Sequence, residues 1–341
     1  MSMVSLNSFF TRISRLDSLD SWIKIFCILL GLVYILSLGA SFFWIFDLFR
    51  HFMVQYVIVA LVFALCAALR KQWPYAAAML VLAFICGFEI ASRIDYVPPP
   101  ASIEALAKDK LLKVIVYNRK YTLTEHQAMV DFIKAENPDI FFILEANKTH
   151  SDALRTEFKT NYPYQVLMPK ENAFGMVAAS KTPFTFKWKT PSNPKIQVLD
   201  NFILVTRIHP KGSAPINFFA LHAPPPMSPK LFAQRNADLE YIPEIMNSKL
   251  KRPETNVIVL GDWNITPYSP FFSQLLRDTG LKNQTTTRYF PPSWPAGFYP
   301  PFQIPIDYIL HKGKIRLVEK RLGPSLGSDH RPVIAVFSFE N

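Results

Sequence analysis

Three long apolar runs come first, followed by short apolar segments separated by polar residues and prolines, so the chain divides into two unlike parts. Ile25 to Phe46 is 22 residues without a formal charge, and Phe52 to Leu69 is a further 18. A third run, Trp73 to Ser92, is interrupted only by Glu89, which a headgroup boundary would accommodate. Each is about long enough to cross a hydrocarbon layer of roughly 30 Å as a helix. The first is too long for the apolar stretch of a signal peptide, and two more follow it. The pattern predicts transmembrane helices over about 25–46, 52–69 and 73–92, with residues 1–95 as a membrane anchor. A helical hairpin packed on a soluble core is the competing reading.

Beyond the anchor, Tyr96-Val-Pro-Pro-Pro-Ala101 predicts a stiff polyproline connector within a linker over 96–110. Residues 111–341 then alternate between strand and helix patterns. Leu112–Tyr117 reads as a strand ending at Asn118. Thr124-Glu-His-Gln127 has capping-box spacing for a helix to about Ala135, and Pro138 separates it from the strand Ile140–Leu144, which ends at Glu145. Short strands are predicted at Tyr164–Met168, Gly175–Ala179, Phe184–Lys189 and Phe202–Ile208. Ile216–Leu221 ends on His222, and Ser228-Pro229 opens a helix to about Asn247. Val257–Leu260 is a strand buried on both faces. Gly261 closes it, so that Asp262 and Asn264 stand at its carboxyl end. Ser269-Pro270 then starts a helix to Asp278. The Pro- and aromatic-rich stretch Arg288–Phe302 reads as a surface loop. Ile306–Leu310 and Val333–Phe339 are the last strands, with Asp307 near the start of the first and Asp329-His330 just before the second.

Charge sharpens this division. Residues 1–100 hold 7 Lys/Arg and 5 Asp/Glu, leaving 30 and 21 for the rest, a net +9 that suits a phosphate-bearing partner or an anionic membrane. Arg12, Arg15 and Lys24 precede the first run, and Arg70 and Lys71 lie between the second and third, against Arg50 alone in the other loop. Positive residues favour the cytoplasmic side, so the amino terminus is expected inside and the large domain outside. In a bacterium that is a multi-pass inner-membrane protein with a periplasmic domain. Cys27, Cys66 and Cys86 all fall in the apolar runs, so the domain has no thiol.

The polar residues at the strand ends form one inventory: Asn118, Glu145, Asp262, Asn264, Asp307, Asp329 and His330. Oxygen donors plus imidazole, with no thiolate, suit a hard divalent cation such as Mg²⁺. Attack on a phosphodiester needs charge neutralisation, an activated water and a general acid or base, and this set could supply all three. Zinc spacing, a nucleotide-binding glycine loop and a Gly-x-Ser-x-Gly elbow are all absent from the sequence.

Six blocks in order carry a resemblance: Val114–Asn118, Pro138–Glu145, Phe219–His222, Gly261–Asn264, Pro305–Tyr308 and Ser328–His330. Over about residues 111–340 the chain resembles the endonuclease/exonuclease/phosphatase superfamily typified by deoxyribonuclease I, in what looks like a membrane-anchored bacterial branch. The resemblance implies an α/β four-layer sandwich of two packed mixed β-sheets flanked by helices. It implies that Glu145, supported by Asn118, holds Mg²⁺ (or Mn²⁺), with Asp329 beside the metal. By the same resemblance Asp262 orients or deprotonates the attacking water, and Asn264 binds the scissile phosphate. Asp307 would hold the ring of His330, which acts on the phosphoryl oxygens, and His222 would be a second imidazole there. The basic pair Arg119-Lys120 after Asn118 departs from the pattern. Expected is a metal-dependent phosphodiesterase, nuclease-like or acting on phospholipid head groups. Endonuclease, exonuclease and phosphatase chemistry all stay open, and a non-catalytic membrane module with the same fold is the alternative.

Overall fold

A computed structural model describes residues 19–101, 110–190, 199–210, 213–249 and 255–339; Arg12, Arg15 and most of the linker lie outside them. The chain forms two compact units, divided between Arg93 and Ile94.

The first unit is helical: α1 (Leu19–Ser37), α2 (Trp44–Arg50), α3 (Met53–Leu69) and α4 (Trp73–Arg93). The apolar run 25–46 is therefore not one helix, which corrects the first expected span. Helix α1 starts six residues earlier and stops at Ser37, whose hydroxyl donates to the Tyr34 carbonyl. Beyond it the chain closes successive turns, Gly39 N–H to Leu36 and Ala40 N–H to Ser37, around a glycine and serines that favour turns. The second expected span, 52–69, is matched by α3, and the short α2 before it meets α3 at 67°. Among the described residues two helices, α1 and α4, are long and apolar enough to cross a membrane, or three if the bent pair counts as one span. Glu89, the charge within α4, is paired with Arg50 and, at 3.1 Å, with Arg93.

The described residues of the second unit form thirteen strands: β1 (Asp95–Tyr96), β2 (Leu111–Asn118), β3 (Ile140–Leu144), β4 (Tyr164–Met168), β5 (Met176–Ser180), β6 (Phe184–Lys189), β7 (Ile203–Ile208), β8 (Ile216–His222), β9 (Asn256–Asp262), β10 (Gln284–Thr285), β11 (Asp307–Lys312), β12 (Ile315–Leu322) and β13 (Val333–Phe339). Helices α5 (Gln127–Glu136), α6 (Lys148–Glu157), α7 (Pro229–Lys249) and α8 (Pro270–Thr279) complete it. The larger sheets are six-stranded, order β12-β13-β2-β3-β5-β4, and five-stranded, order β11-β9-β8-β7-β6.

Strand alternation builds the layers. In β2, Leu112, Val114 and Val116 face the core between the sheets, where they meet Phe218, Ile258 and Ile309. Ile115 and Tyr117 face outward onto Met129, Val130 and Ile133 of α5. Likewise Val257 and Val259 turn outward onto Ile242 of α7 and Phe272 of α8. The result is the expected sandwich, helices outside and two mixed sheets inside.

Topology then puts the polar strand ends together. The parallel pairs β2–β3 and β8–β9 point their carboxyl ends the same way, with Asn118 beside Leu144 and His222 in register with Asp262. Strand β11 runs antiparallel to β9, so its first residue Asp307 lies opposite Asp262. Strand β13 runs antiparallel to β2, and Val333 opposite Val116 brings the preceding Asp329-His330 to the same end.

Local expectations fail in three places. The capping box at Thr124 does not form; α5 begins at Gln127 after His126, with no side-chain cap. The carbonyl of Glu125 is instead taken by the buried Arg119 guanidinium, and those of Tyr121 and Leu123 by the Asn147 amide, which hold the loop in place. The expected connector at Tyr96 begins as a strand, pairing with Thr285. Helix α6 and strand β12 were absent from the reading altogether.

Candidate active site

Asp262 is the centre of the site. Its Oδ2 lies 3.0 Å from Asn118 Nδ2, 3.5 Å from His222 Nε2 and 3.6 Å from His330 Nε2. Its Oδ1 accepts the Asn264 backbone N–H at 3.0 Å. Gly261 makes this placement feasible: it has φ +138°, and a Cβ there would meet the Leu221 carbonyl oxygen at 1.7 Å. Only glycine lets β9 pass so close to β8 and turn its next side chain into the cluster.

The imidazoles are oriented from behind. His330 Nδ1 sits 2.8 Å from Asp307 Oδ2, and its backbone N–H is held by Ser328 Oγ, which itself donates to the Asn118 carbonyl. His222 Nδ1 donates to the Ala173 carbonyl at 2.6 Å, and the ring packs 5.4 Å from Phe174. Asn264, with φ +49°, gives one amide N–H to the Ala223 carbonyl, and its own carbonyl accepts from the buried Arg235. Its second N–H remains for a ligand. Glu145 and Lys120 also hold left-handed backbones, at φ +54° and +64°. Non-glycine residues pay roughly 1 kcal/mol or more for that conformation, so its recurrence at one place marks a site shaped for function.

Burial disfavours charge on His330, but Asp307 and Asp262 outweigh it and push its pKa up to about 10. At neutral pH it is an imidazolium. Burial and the Asp307 charge push Asp262 up to about 6, against the opposing pull of His330 and His222. The ligand atoms of Asp262, Asp307 and His330 lie within 4.8 Å of one another, a grouping close enough for a metal. With His330 Nδ1 on Asp307 and Nε2 3.6 Å from Asp262, the three also form an ion-paired relay.

The expected metal ligands are arranged differently. Glu145 Oε1 accepts from Asn118 Nδ2 at 2.9 Å and Oε2 from the Tyr121 N–H at 3.1 Å, leaving lone pairs on both oxygens of a side chain that is mostly buried but still reaches solvent. That carboxylate fits a hard cation. Asn118 turns its NH₂ to Glu145 and Asp262 while its oxygen accepts from Lys120 N–H, so here it clamps two carboxylates and would have to flip to act as a ligand. Asp329 turns to Lys120, whose Nζ is 3.4 Å from its Oδ2. The sequence reading missed Tyr121, Ser328 and Asn147 as supports, the first acting through backbone groups that no side-chain pattern announces.

A strand-end cluster of carboxylates, amides and imidazoles between two mixed sheets has the donor set that metal-assisted chemistry on phosphate esters calls for. Residues 122–330 match the model of the Endonuclease/Exonuclease/phosphatase family, and the chain belongs to that family. Its enzymes generally use divalent metal ions. No curated protein matches the chain significantly. Among solved structures it is similar to an endonuclease/exonuclease/phosphatase from Beutenbergia cavernae, at 17% identity and TM-score 0.57 over 68% of this chain and 72% of that one. It is also similar to the AP endonuclease LMAP of Leishmania major, at 16% identity and TM-score 0.56 over 74% and 95%. A third is sphingomyelinase C of Streptomyces griseocarneus, at 20% identity and TM-score 0.51 over 66% and 99%. At such identities the likeness establishes the fold.

Proposed function

We propose that the chain is a membrane-tethered, Mg²⁺-dependent phosphodiesterase of a membrane-anchored bacterial branch, its catalytic unit on the periplasmic side. The observation that carries this reading is the Asp262 carboxylate, enclosed by two imidazoles and an amide, with one imidazole held charged by Asp307. Glu145 would hold the cation, with Asn118 as its clamp and Asp329 at the rim, and a cation there would supply neutralisation of charge on the phosphoryl oxygens.

Asp262, ionised above its raised pKa, takes the proton of the attacking water as the water oxygen bonds to phosphorus; the bond from phosphorus to the leaving alcohol's oxygen breaks, and that oxygen takes its proton from solvent. His330 donates Nε2–H to a phosphoryl oxygen as negative charge accumulates, while Asp307 fixes its other N–H and its orientation. Asn264 donates its free amide N–H to the same phosphoryl group, and His222 approaches from the other side. A diester of nucleic acid or of a phospholipid head group satisfies these contacts equally.

The test is hydrolysis by the full chain in nanodiscs, with Mg²⁺, of DNA, RNA, sphingomyelin and phosphoinositides. Turnover of one class that stops on chelation is expected; undiminished turnover in excess chelator overturns the metal role. An alkaline phosphatase fusion at the carboxyl terminus should be active, and an inactive one overturns the periplasmic placement.

A further inference from the structure

The loop between β10 and β11 exposes a run of large apolar side chains, and nothing in the chemistry above uses it. From Tyr289 to Ile306 there are 18 residues without a formal charge. Four large aromatic side chains stand out from it: Tyr289 is 58% exposed, Phe298 62%, Tyr299 81% and Phe302 64%. They are not carried on a loose segment. The Gln303 amide donates to the Pro295 and Phe298 carbonyls, Trp294 and Ile304 exchange backbone hydrogen bonds, and a 3₁₀ turn forms over Pro300–Phe302. A rigid platform that holds several aromatics in water is matched to something outside the chain.

The same platform is wired to the site. Ala296 N–H donates to the Asp329 carbonyl at 2.7 Å, and Arg331 N–H donates to the Ser293 carbonyl at 2.9 Å. The buried Ser293 hydroxyl accepts from the Asp307 N–H at 3.3 Å. At its other end the loop follows β10, whose partner is β1, and Ile94 alone separates β1 from α4, one of the helices able to cross a membrane.

We propose that this loop is a lipid-contact surface, with Tyr289, Phe298, Tyr299 and Phe302 seated in the headgroup layer of the bilayer that holds the amino-terminal helices. Uncharged tyrosine, tryptophan and phenylalanine are the side chains that partition to that layer. A nucleic-acid surface is the other aromatic-rich class, and it needs cations interleaved with the rings to track the phosphates. The loop supplies one, Arg288, and its guanidinium is stacked 4.9 Å above the Tyr96 ring. The contact would hold the strand-end cluster at the depth of lipid head groups, and this last step alone rests on the phosphodiesterase reading.

The test uses the full chain with Cys27, Cys66 and Cys86 replaced by alanine and a single cysteine introduced as Tyr299→Cys, carrying an environment-sensitive fluorophore. A second protein carries Lys187→Cys on β6, at the far edge of the five-stranded sheet. Both are reconstituted in phosphatidylethanolamine–phosphatidylglycerol vesicles that contain a headgroup nitroxide quencher. The label at 299 should be blue-shifted and strongly quenched, and the label at 187 should not. Equal, water-like emission at both positions overturns the proposal. So does a blue shift at 299 that appears only when single-stranded DNA is added, which would make the loop a nucleic-acid surface. In a second arm, the combined change Phe298→Ser, Tyr299→Ser, Phe302→Ser should lower turnover of vesicle phospholipid about tenfold or more and leave soluble bis(p-nitrophenyl) phosphate turnover unchanged. An equal fall on both substrates shows that the loop only supports the site and overturns the positioning step. If no phosphodiester is turned over at all, the phosphodiesterase reading fails, while the quenching result still decides the surface.

Discussion

Asp262 and Asp238 are both buried carboxylates of the second unit, one at the end of β9 and one on α7, and their neighbours set them apart. Asp262 faces the two imidazoles of His222 and His330 and a pair of amide donors. Asp238 receives a single neutral donor, Asn201 Nδ2 at 2.5 Å, and that amide also reaches the His222 carbonyl. Burial raises the pKa of both. At Asp262 the imidazoles oppose it and the value stops at about 6, whereas at Asp238 only the Asn201 hydrogen bond opposes it and the value reaches about 7. A carboxylate that faces the imidazolium of His330 is held ready as a base at neutral pH. One matched by an amide alone is half protonated there and serves as a support. Burial by itself therefore does not mark the reactive group in this fold; the charge opposite it does.

The largest effects should come from breaking the charged cluster. His330→Ala removes a preorganised donor and Asp307→Asn its orienting charge, and each should lower turnover by about 10²–10³, or roughly 3–4 kcal/mol of barrier. The double variant should lose far less than the product, because the two act as one unit. Turnover on any substrate found active, with thermal unfolding of each variant, checks this. Near-wild-type rates in both single variants would leave the pair purely structural.

A tenfold-scale effect is expected one layer out. Asn147 holds the Tyr121 and Leu123 carbonyls, and so positions the Tyr121 N–H that donates to Glu145. Asn147→Ala should raise the Mg²⁺ concentration for half-maximal turnover by about 10–100-fold, with a smaller change at saturating metal. A metal titration decides it, and an unchanged midpoint would show that the loop stays in place without its clamp.

The pH profile sharpens the contrast further. Asp262 must be ionised, so kcat/KM should rise as pH passes about 6; His330 must keep its proton, so it should fall toward pH 10. Both limbs belong to the coupled cluster, not to single residues. Asp307→Asn withdraws charge from both partners, so the alkaline limb should move to lower pH. A limb that stays in place would assign it to another group.

How much of this was legible in the sequence depends on which atoms do the work. Strand ends were readable because an apolar run followed by Asn118, Glu145, His222 or Asp262 is a side-chain pattern, and parallel pairing does the rest. Helix α6 was not: Leu154 is its main apolar anchor, and it is started by Asn147 accepting from the His150 N–H. Strand β12 was hidden by Arg316, Glu319, Lys320 and Arg321, and by a register shift between Leu317 and Glu319 that spoils the alternation. In the first unit an unbroken apolar run implied one helix where turn formation after Ser37 divides it. Hydropathy reports the solvent a segment tolerates, and it says less about where the backbone turns.

The smallest effect on turnover, and the other side of the comparison, should come from Asp238. Its folded pKa of about 7 stands above the unfolded value near 3.8, so between those pH values the folded state binds a proton that the unfolded chain has released. Stability must therefore fall as pH rises through that window, by up to about 1.4 kcal/mol per pH unit, and level off above it. Asp238→Asn keeps an oxygen to accept from Asn201 and removes the charge. The variant's unfolding free energy should lack this decline, so that its advantage over the parent is greatest above pH 7 and shrinks toward pH 4. Turnover at neutral pH should be little changed, since Asn201 still reaches the His222 carbonyl. Denaturant unfolding at pH 4.5, 6 and 7.5 measures the slope. If parent and variant show the same pH dependence, Asp238 is not charged by this titration, and the distinction between the two carboxylates would have to rest on the site geometry alone.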